Sequence, residues 1–290
     1  SLLLALTLGT FGPEGRPFFQ DIAQADSSAI LSIIIGGVIF NLSNICLSAS
    51  TSIAGMSVAF PVGCGLALVL GVINNLRVEM SQGALKSNLT LLAIGVALVV
   101  VAVILNGIAS GKKAGNAEIS KADQRKGIIL AVVAGVVMSF FSSFVMKAMD
   151  LKDFANMEPG KVGPYTAIVV FSLAVLVSHF VFGPIFMKWP FQGAPVKMSE
   201  YFKGNSKTHL VGMLGGCIWC LGTALSYIAA GKAGASVSYA LGQGAPMVAA
   251  IWGVFVWKEF KGSNKTVYNL LGMMFLFFIV GLGMIVAAGM

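Results

Sequence analysis

The sequence predicts an all-α integral membrane protein, a helical bundle built as an inverted repeat. Three observations carry that prediction. Only 10% of the 290 residues are charged and 57% are hydrophobic, whereas soluble domains carry about 25% charged residues. So few charges do not wrap a soluble globule of this length. Apolar runs of about 20 residues, the length of helix that crosses a bilayer, recur along the whole chain. A stretch of the first half also recurs in the second.

Nine runs follow in order: residues 1–12, 28–48, 54–75, 88–109, 127–148, 164–188, 209–230, 235–257 and 266–289. The first is short and reads as a truncated span. The chain opens Ser-Leu-Leu-Leu-Ala-Leu with no positive n-region, so it reads as the inside of a span rather than a signal peptide. Ala49 to Ile53 and Gly231 to Gly234 read as tight turns between neighbouring spans. Glycine is abundant, 35 residues, and small residues let helix backbones approach where lipid gives no hydrophobic drive to associate.

The four cysteines, Cys46, Cys64, Cys217 and Cys220, all lie in apolar runs. Cys217-Ile-Trp-Cys220 has CxxC spacing, but no second pair and no nearby His accompany it, so no metal site, redox centre or cofactor is expected. The net charge of +8 would suggest nucleic acid in a soluble protein. Here no soluble surface presents it, and the expected partners are a small polar solute and the lipid bilayer.

The charge instead sets an orientation. The loops 110–126, 188–208 and 258–265 hold 12 of the 19 Lys and Arg residues, and the opposite side holds 7. Basic loops stay inside, so loop 110–126 is expected to be cytoplasmic and the C-terminus outside.

Residues 36–69 lie on 215–248 without a gap, with 11 identities in 34 positions. Gly36-Gly37 falls on Gly215-Gly216, Ala54-Gly55 on Ala233-Gly234, and Ser57-Val58 on Ser236-Val237. The copies are five spans apart, an odd offset that turns one over relative to the other. Inverted repeats are the mark of alternating-access carriers. The expected organisation is a first, truncated repeat over 1–109, a cytoplasmic linker over 110–126 and a second repeat over 127–290. A five-helix unit implies a parent of ten spans.

At these residues the chain resembles a known family. Gly242-Gln-Gly-Ala-Pro-Met-Val-Ala-Ala-Ile-Trp-Gly-Val-Phe-Val-Trp-Lys-Glu-Phe260, with Lys265-Thr-Val-Tyr after it, resembles the end of plant ureide permeases. Gly36-Gly-Val-Ile-Phe-Asn-Leu-Ser-Asn44, Ala134-Gly-Val-Val-Met-Ser-Phe-Phe-Ser142 and Pro164-Tyr-Thr-Ala167 are similar in the same order. Gly215-Gly-Cys-Ile-Trp-Cys-Leu-Gly222 also resembles a pattern of the glucose and rhamnose porters. The resemblance implies a ten-helix carrier of the drug/metabolite transporter superfamily, with external termini and a cytosolic central loop. Plant members carry a Walker-A-like element in that loop. Here Gly107-Ile-Ala-Ser-Gly-Lys-Lys113 is one residue short of P-loop spacing and lacks the Ser/Thr for magnesium, so no nucleotide binding is expected.

A polar solute crossing lipid needs hydrogen-bonding groups facing an internal cavity, so polar side chains inside spans are the candidates. Asn41 and Asn44 are three apart and share a helix face. Trp219, Thr223 and Tyr227 form a stripe in which the rings suit stacking on a planar solute. Tyr239 and Gln243 precede Pro246, and Gln243 is the only Gln inside a span. The substrate-binding set is therefore Asn41, Asn44, Trp219, Thr223, Tyr239 and Gln243. Pro61 and Pro246 interrupt corresponding helices and are the candidate kinks. Glu79 and Glu259 read as solvated span ends. His179 is the candidate for proton coupling, because the expected spans carry no Asp or Glu in their central portions.

An enzyme is not expected, since the chain has two His and no paired carboxylates within a span. The function expected is secondary active uptake of a small neutral polar solute such as allantoin, uracil or xanthine, with protons as a coupling ion. Uptake of a monosaccharide (ribose, glucose or rhamnose) and export by the same fold are the alternatives.

Overall fold

The computed structural model describes residues 1–11, 15–114 and 121–290. Two short helices, α1 (Leu2–Leu6) and α2 (Leu8–Phe11), are followed by α3 (Phe18–Gln24) and α4 (Ser27–Ala54). Then come α5 (Met56–Gln82), α6 (Leu89–Ala114), α7 (Lys121–Ala148), α8 (Pro164–Lys188) and α9 (Ser199–Phe202). The chain ends with α10 (Ser206–Ala233), α11 (Ala235–Gly242), α12 (Ala245–Ile251), a π turn (Trp252–Val256) and α13 (Lys265–Ala288). Among the described residues there is no strand, only an isolated bridge between Met149 and Val162. Eight helical segments are long and apolar enough to cross a membrane, and the chain is an all-α integral membrane protein.

Three expectations about the elements change. The segment expected as a truncated first span is two short helices, an apolar stretch Leu2–Phe11 ahead of the eight longer spans. The turn expected over Ala49–Ile53 is helix, and the break is a single residue, Gly55. The polar run that suggested a turn is tolerated because its hydroxyls bond carbonyls: Ser50 donates to Gly127, Thr51 to Leu47 and Ser52 to Ala49. Likewise α10 continues through Ala233, leaving only Gly234 as the break. Gly55 (φ 80°, ψ 158°) and Gly234 (φ 95°, ψ 151°) adopt a conformation that is essentially glycine's alone.

The chain divides into two compact units. One comprises Ser1–Leu42 and Phe141–Gly231, the other Ser43–Phe140 and Lys232–Met290. Compactness thus divides the chain differently from the repeat halves 1–109 and 127–290. Of the segment 110–126, residues 115–120 lie outside the described residues, and its flanks are the ends of α6 and α7.

In the first unit, α4 packs through its paired glycines. A Cβ on Gly36 would lie 2.8 Å from the Phe141 carbonyl oxygen, and one on Gly37 would lie 2.7 Å from the Ala174 Cβ. Phe40 then reaches Phe141 and Phe171, with ring centroids 4.9 and 5.5 Å away. Buried Asp21 accepts from the Gly163 amide at 2.8 Å and pairs with Arg16 at 3.5 Å, fixing the entry to α8.

In the second unit, α6 and α13 meet backbone to backbone. A Cβ on Gly95 would lie 2.8 Å from the Gly281 carbonyl oxygen, and one on Gly281 would lie 2.9 Å from that of Gly95. Tyr239 on α11 lies against Gly71 on α5 and donates its hydroxyl to the Ala67 carbonyl at 2.9 Å.

Candidate functional site

The second unit holds a cavity of about 250 Å³ with a mainly apolar lining and a few polar groups. Phe60 and Pro61 come from α5, Asn106 and Ser110 from α6, and Pro246 and Ala249 from α12. The chain beyond the π turn adds Trp257, Glu259 and Phe260. Among the described residues, the Asn106 amide, the Ser110 side chain and the Glu259 carboxylate have no hydrogen-bond or ion-pair partner. An amide donates and accepts, and a carboxylate accepts through two oxygens. Together these groups complement a small solute carrying neighbouring N–H and C=O groups.

Both prolines singled out from sequence line this cavity, but they differ in effect. The helix α5 is one element through Pro61. Pro246 does sit at a break: α11 ends at Gly242, and α12 begins at Ala245 with the proline in its first turn. The missing N–H of proline leaves nothing unsatisfied at that position. Gln243 lies in the break, half-buried, and caps α11 through its amide to the Ala240 carbonyl at 3.1 Å. A π turn follows, closed from the Trp257 amide to the Trp252 carbonyl at 3.0 Å.

The remaining candidates divide between the units. In the first unit, buried Asn41 donates its amide to the Ser178 hydroxyl at 3.0 Å, tying α4 to α8. Trp219 stacks on Phe40 with centroids 5.1 Å apart. Thr223 returns its hydroxyl to the Trp219 carbonyl of its own helix at 3.0 Å. Tyr227 meets Phe171 edge-on at 6.1 Å, and its buried hydroxyl has no partner among the described residues. Trp219 and Tyr227 therefore border one aromatic cluster around Phe171. His179 follows Ser178 on an exposed stretch of α8. In the second unit are Asn44, half-buried on α4, and Tyr239, whose hydroxyl is taken by Ala67.

Two features escaped the sequence reading. Asn106 is a lone amide near the end of an apolar run, and its isolation there was the available signal. Glu79 is no solvated end but fully buried, accepting from the Ser236 hydroxyl at 2.8 Å and the Ser236 amide at 3.1 Å.

Comparison with known proteins agrees with a carrier. Ureide permease 1 of Arabidopsis thaliana is 23% identical over 99% of this chain and 85% of its own length. Ureide permease 2 of the same plant is 22% identical over 99% of this chain and 86% of its own. An L-rhamnose-proton symporter of Yersinia pestis is 26% identical over 46% of this chain and 39% of its own. No solved structure shows a significant match. The ureide permease profile matches residues 1–126 and 117–288. This multi-pass membrane protein, a transporter and not an enzyme, belongs to the ureide permease family.

Proposed function

We propose that the chain takes up a small neutral solute of the ureide or nucleobase class by alternating access. The observation that carries this is the second unit's cavity, where an amide, a hydroxyl and a carboxylate stand unpaired among Phe60, Trp257 and Phe260. A urea group offers paired N–H donors to a carboxylate and a carbonyl to an amide. Aromatic walls suit the planar faces of such molecules. Asn41, Trp219 and Thr223 in the first unit and Asn44, Tyr239 and Gln243 in the second remain proposed solute contacts, with the break at Pro246 as a point of flexure.

Proton coupling belongs to the same proposal, with His179 as its carrier; one relative is named a proton symporter. So does the orientation, with 110–126 cytoplasmic and the C-terminus outside, which rests on the distribution of Lys and Arg. Monosaccharide uptake is the second reading, favoured by that same rhamnose symporter, which covers under half of this chain. Uptake by purified protein in liposomes tests the choice. Saturable accumulation of allantoin, uracil or xanthine supports the first reading, and accumulation of rhamnose or glucose alone supports the second.

A further inference from the structure

The Glu79 carboxylate is held at the start of α11. Besides the two bonds from Ser236, it accepts from the Ala235 amide. The first amides of a helix have no partner within it, and the helix dipole there favours an anion. A Cβ on Gly234 would lie 2.5 Å from Glu79 Oε1, so the glycine is what admits the carboxylate. Glu79, in the first repeat copy, thus ties down the helix that follows the glycine break in the second.

The repeat supplies a counterpart. The register that lays 36–69 on 215–248 continues toward the helix ends. The π turn Trp252–Val256 adds one residue to the second copy, because its bond closes from i to i+5. With that residue counted, Glu79 falls on Glu259, while Gly234 and Ser236 fall on Gly55 and Ser57. The contact equivalent to Glu79 on α11 is therefore Glu259 on the start of α5. Among the described residues the Glu259 carboxylate has no hydrogen-bond or ion-pair partner, and it faces the cavity that Phe60 and Pro61 of α5 also line.

The two carboxylates also sit in unlike backbone. The helix α5 is regular through Glu79 to Gln82. Glu259 follows the π turn and Lys258, which holds a left-handed φ of 55°. That conformation is one that L-residues rarely adopt. The second copy is thus strained and unseated where the first is regular and seated.

We propose that Glu79 and Glu259 are alternate latches of the transport cycle. With Glu79 seated on α11 the cavity stands open. In the opposite state Glu259 seats on the amides that open α5, closing the cavity, and Glu79 releases α11. Glu79 is a positioning residue that acts on a helix start; Glu259 meets the solute in the open cavity and acts on a helix start only in the opposite state. The proposal rests on the carrier reading above.

The test is a cysteine placed in the cavity, S110C, in a chain whose Cys46, Cys64, Cys217 and Cys220 are replaced by Ala. Its rate of maleimide labelling is read in detergent micelles, where both faces are accessible. E79Q unseats the closed latch and slows labelling by about threefold or more, because the closed cavity gains population. E259Q disables the other latch and speeds labelling by a similar factor. Should E79Q fail to fold, S236A removes one of the bonds and shifts labelling in the same direction to a smaller extent. E79Q lowers the maximal rate of uptake with little change in KM, and Glu79→Asp restores part of it. Equal or same-direction labelling changes in E79Q and E259Q overturn the latch. Labelling needs no transported solute, so opposite shifts in a protein that accumulates nothing would sink the carrier reading and leave the latch standing.

Discussion

Gly55 and Gly234 hold the same backbone conformation at equivalent places in the two copies of one motif. Each is a one-residue break after a 28-residue helix, α4 in the first copy and α10 in the second. Helix bounds, break and glycine conformation all follow the register found in sequence. Replacing either glycine with Ala forces a side chain into a region that costs of order 1–3 kcal/mol. G55A and G234A are each expected to lower the midpoint of thermal unfolding in detergent. Ala at Gly65, whose Cβ would meet nothing within 4 Å, is the control and should leave the midpoint nearly unchanged.

Bulk at the contact between α6 and α13 should be poorly tolerated. Gly95 and Gly281 each face the other's carbonyl oxygen, at 2.8 and 2.9 Å from an added Cβ. Overpacking a close contact costs about 1–3 kcal/mol. G281V should reduce the yield of monodisperse protein, and size-exclusion chromatography reads the outcome. Gly283, which has open space at its Cβ position, should accept Ala without loss.

Asn41 separates a structural clamp from a transport role. An interhelical hydrogen bond within a membrane is worth about 0.6 kcal/mol on average, so N41A should change thermal stability little. N41A should weaken apparent affinity for the best solute, and Q243A should do the same. Unchanged KM in both variants would remove these residues from the proposed path.

The cavity makes a sharper claim. Asn106 faces it with an unpaired amide, so N106A leaves no broken internal bond behind. Its expected effect is a rise in KM of about tenfold, the size of a hydrogen bond worth about 1.4 kcal/mol, with normal folding. A KM equal to that of the parent would place the solute elsewhere.

Coupling is tested at His179. Imposing an inward proton gradient on liposomes should stimulate uptake by the parent chain. The variant His179→Gln should retain basal uptake and lose that stimulation. Stimulation that survives in the variant would remove His179 from the coupling path.

Much of this architecture was legible in sequence because lipid simplifies the problem. A backbone crossing hydrocarbon must satisfy its own polar groups, so long apolar runs become helices. The segments around Val99, Phe171 and Phe278 declare themselves for that reason. Local exceptions were harder to read. Ser50, Thr51 and Ser52 suggested a turn, yet their hydroxyls bond carbonyls and the helix continues. Glu79 read as a solvated end because its partner Ser236 is distant in sequence, and no local pattern announces such a contact. The aromatic cluster that joins Phe40 to Trp219 is non-local in the same way. Of the site, the prolines and the candidate stripe were visible. The cavity that gathers Pro61, Asn106, Pro246 and Glu259 required the fold.

Ureide-class transport is read out by solute accumulation. Purified protein in liposomes with an imposed inward proton gradient should accumulate radiolabelled allantoin above empty liposomes. That accumulation should be saturable, competed by uracil or xanthine, and diminished in N106A. Failure of allantoin, uracil and xanthine all to accumulate, with the protein folded and inserted, would contradict the account.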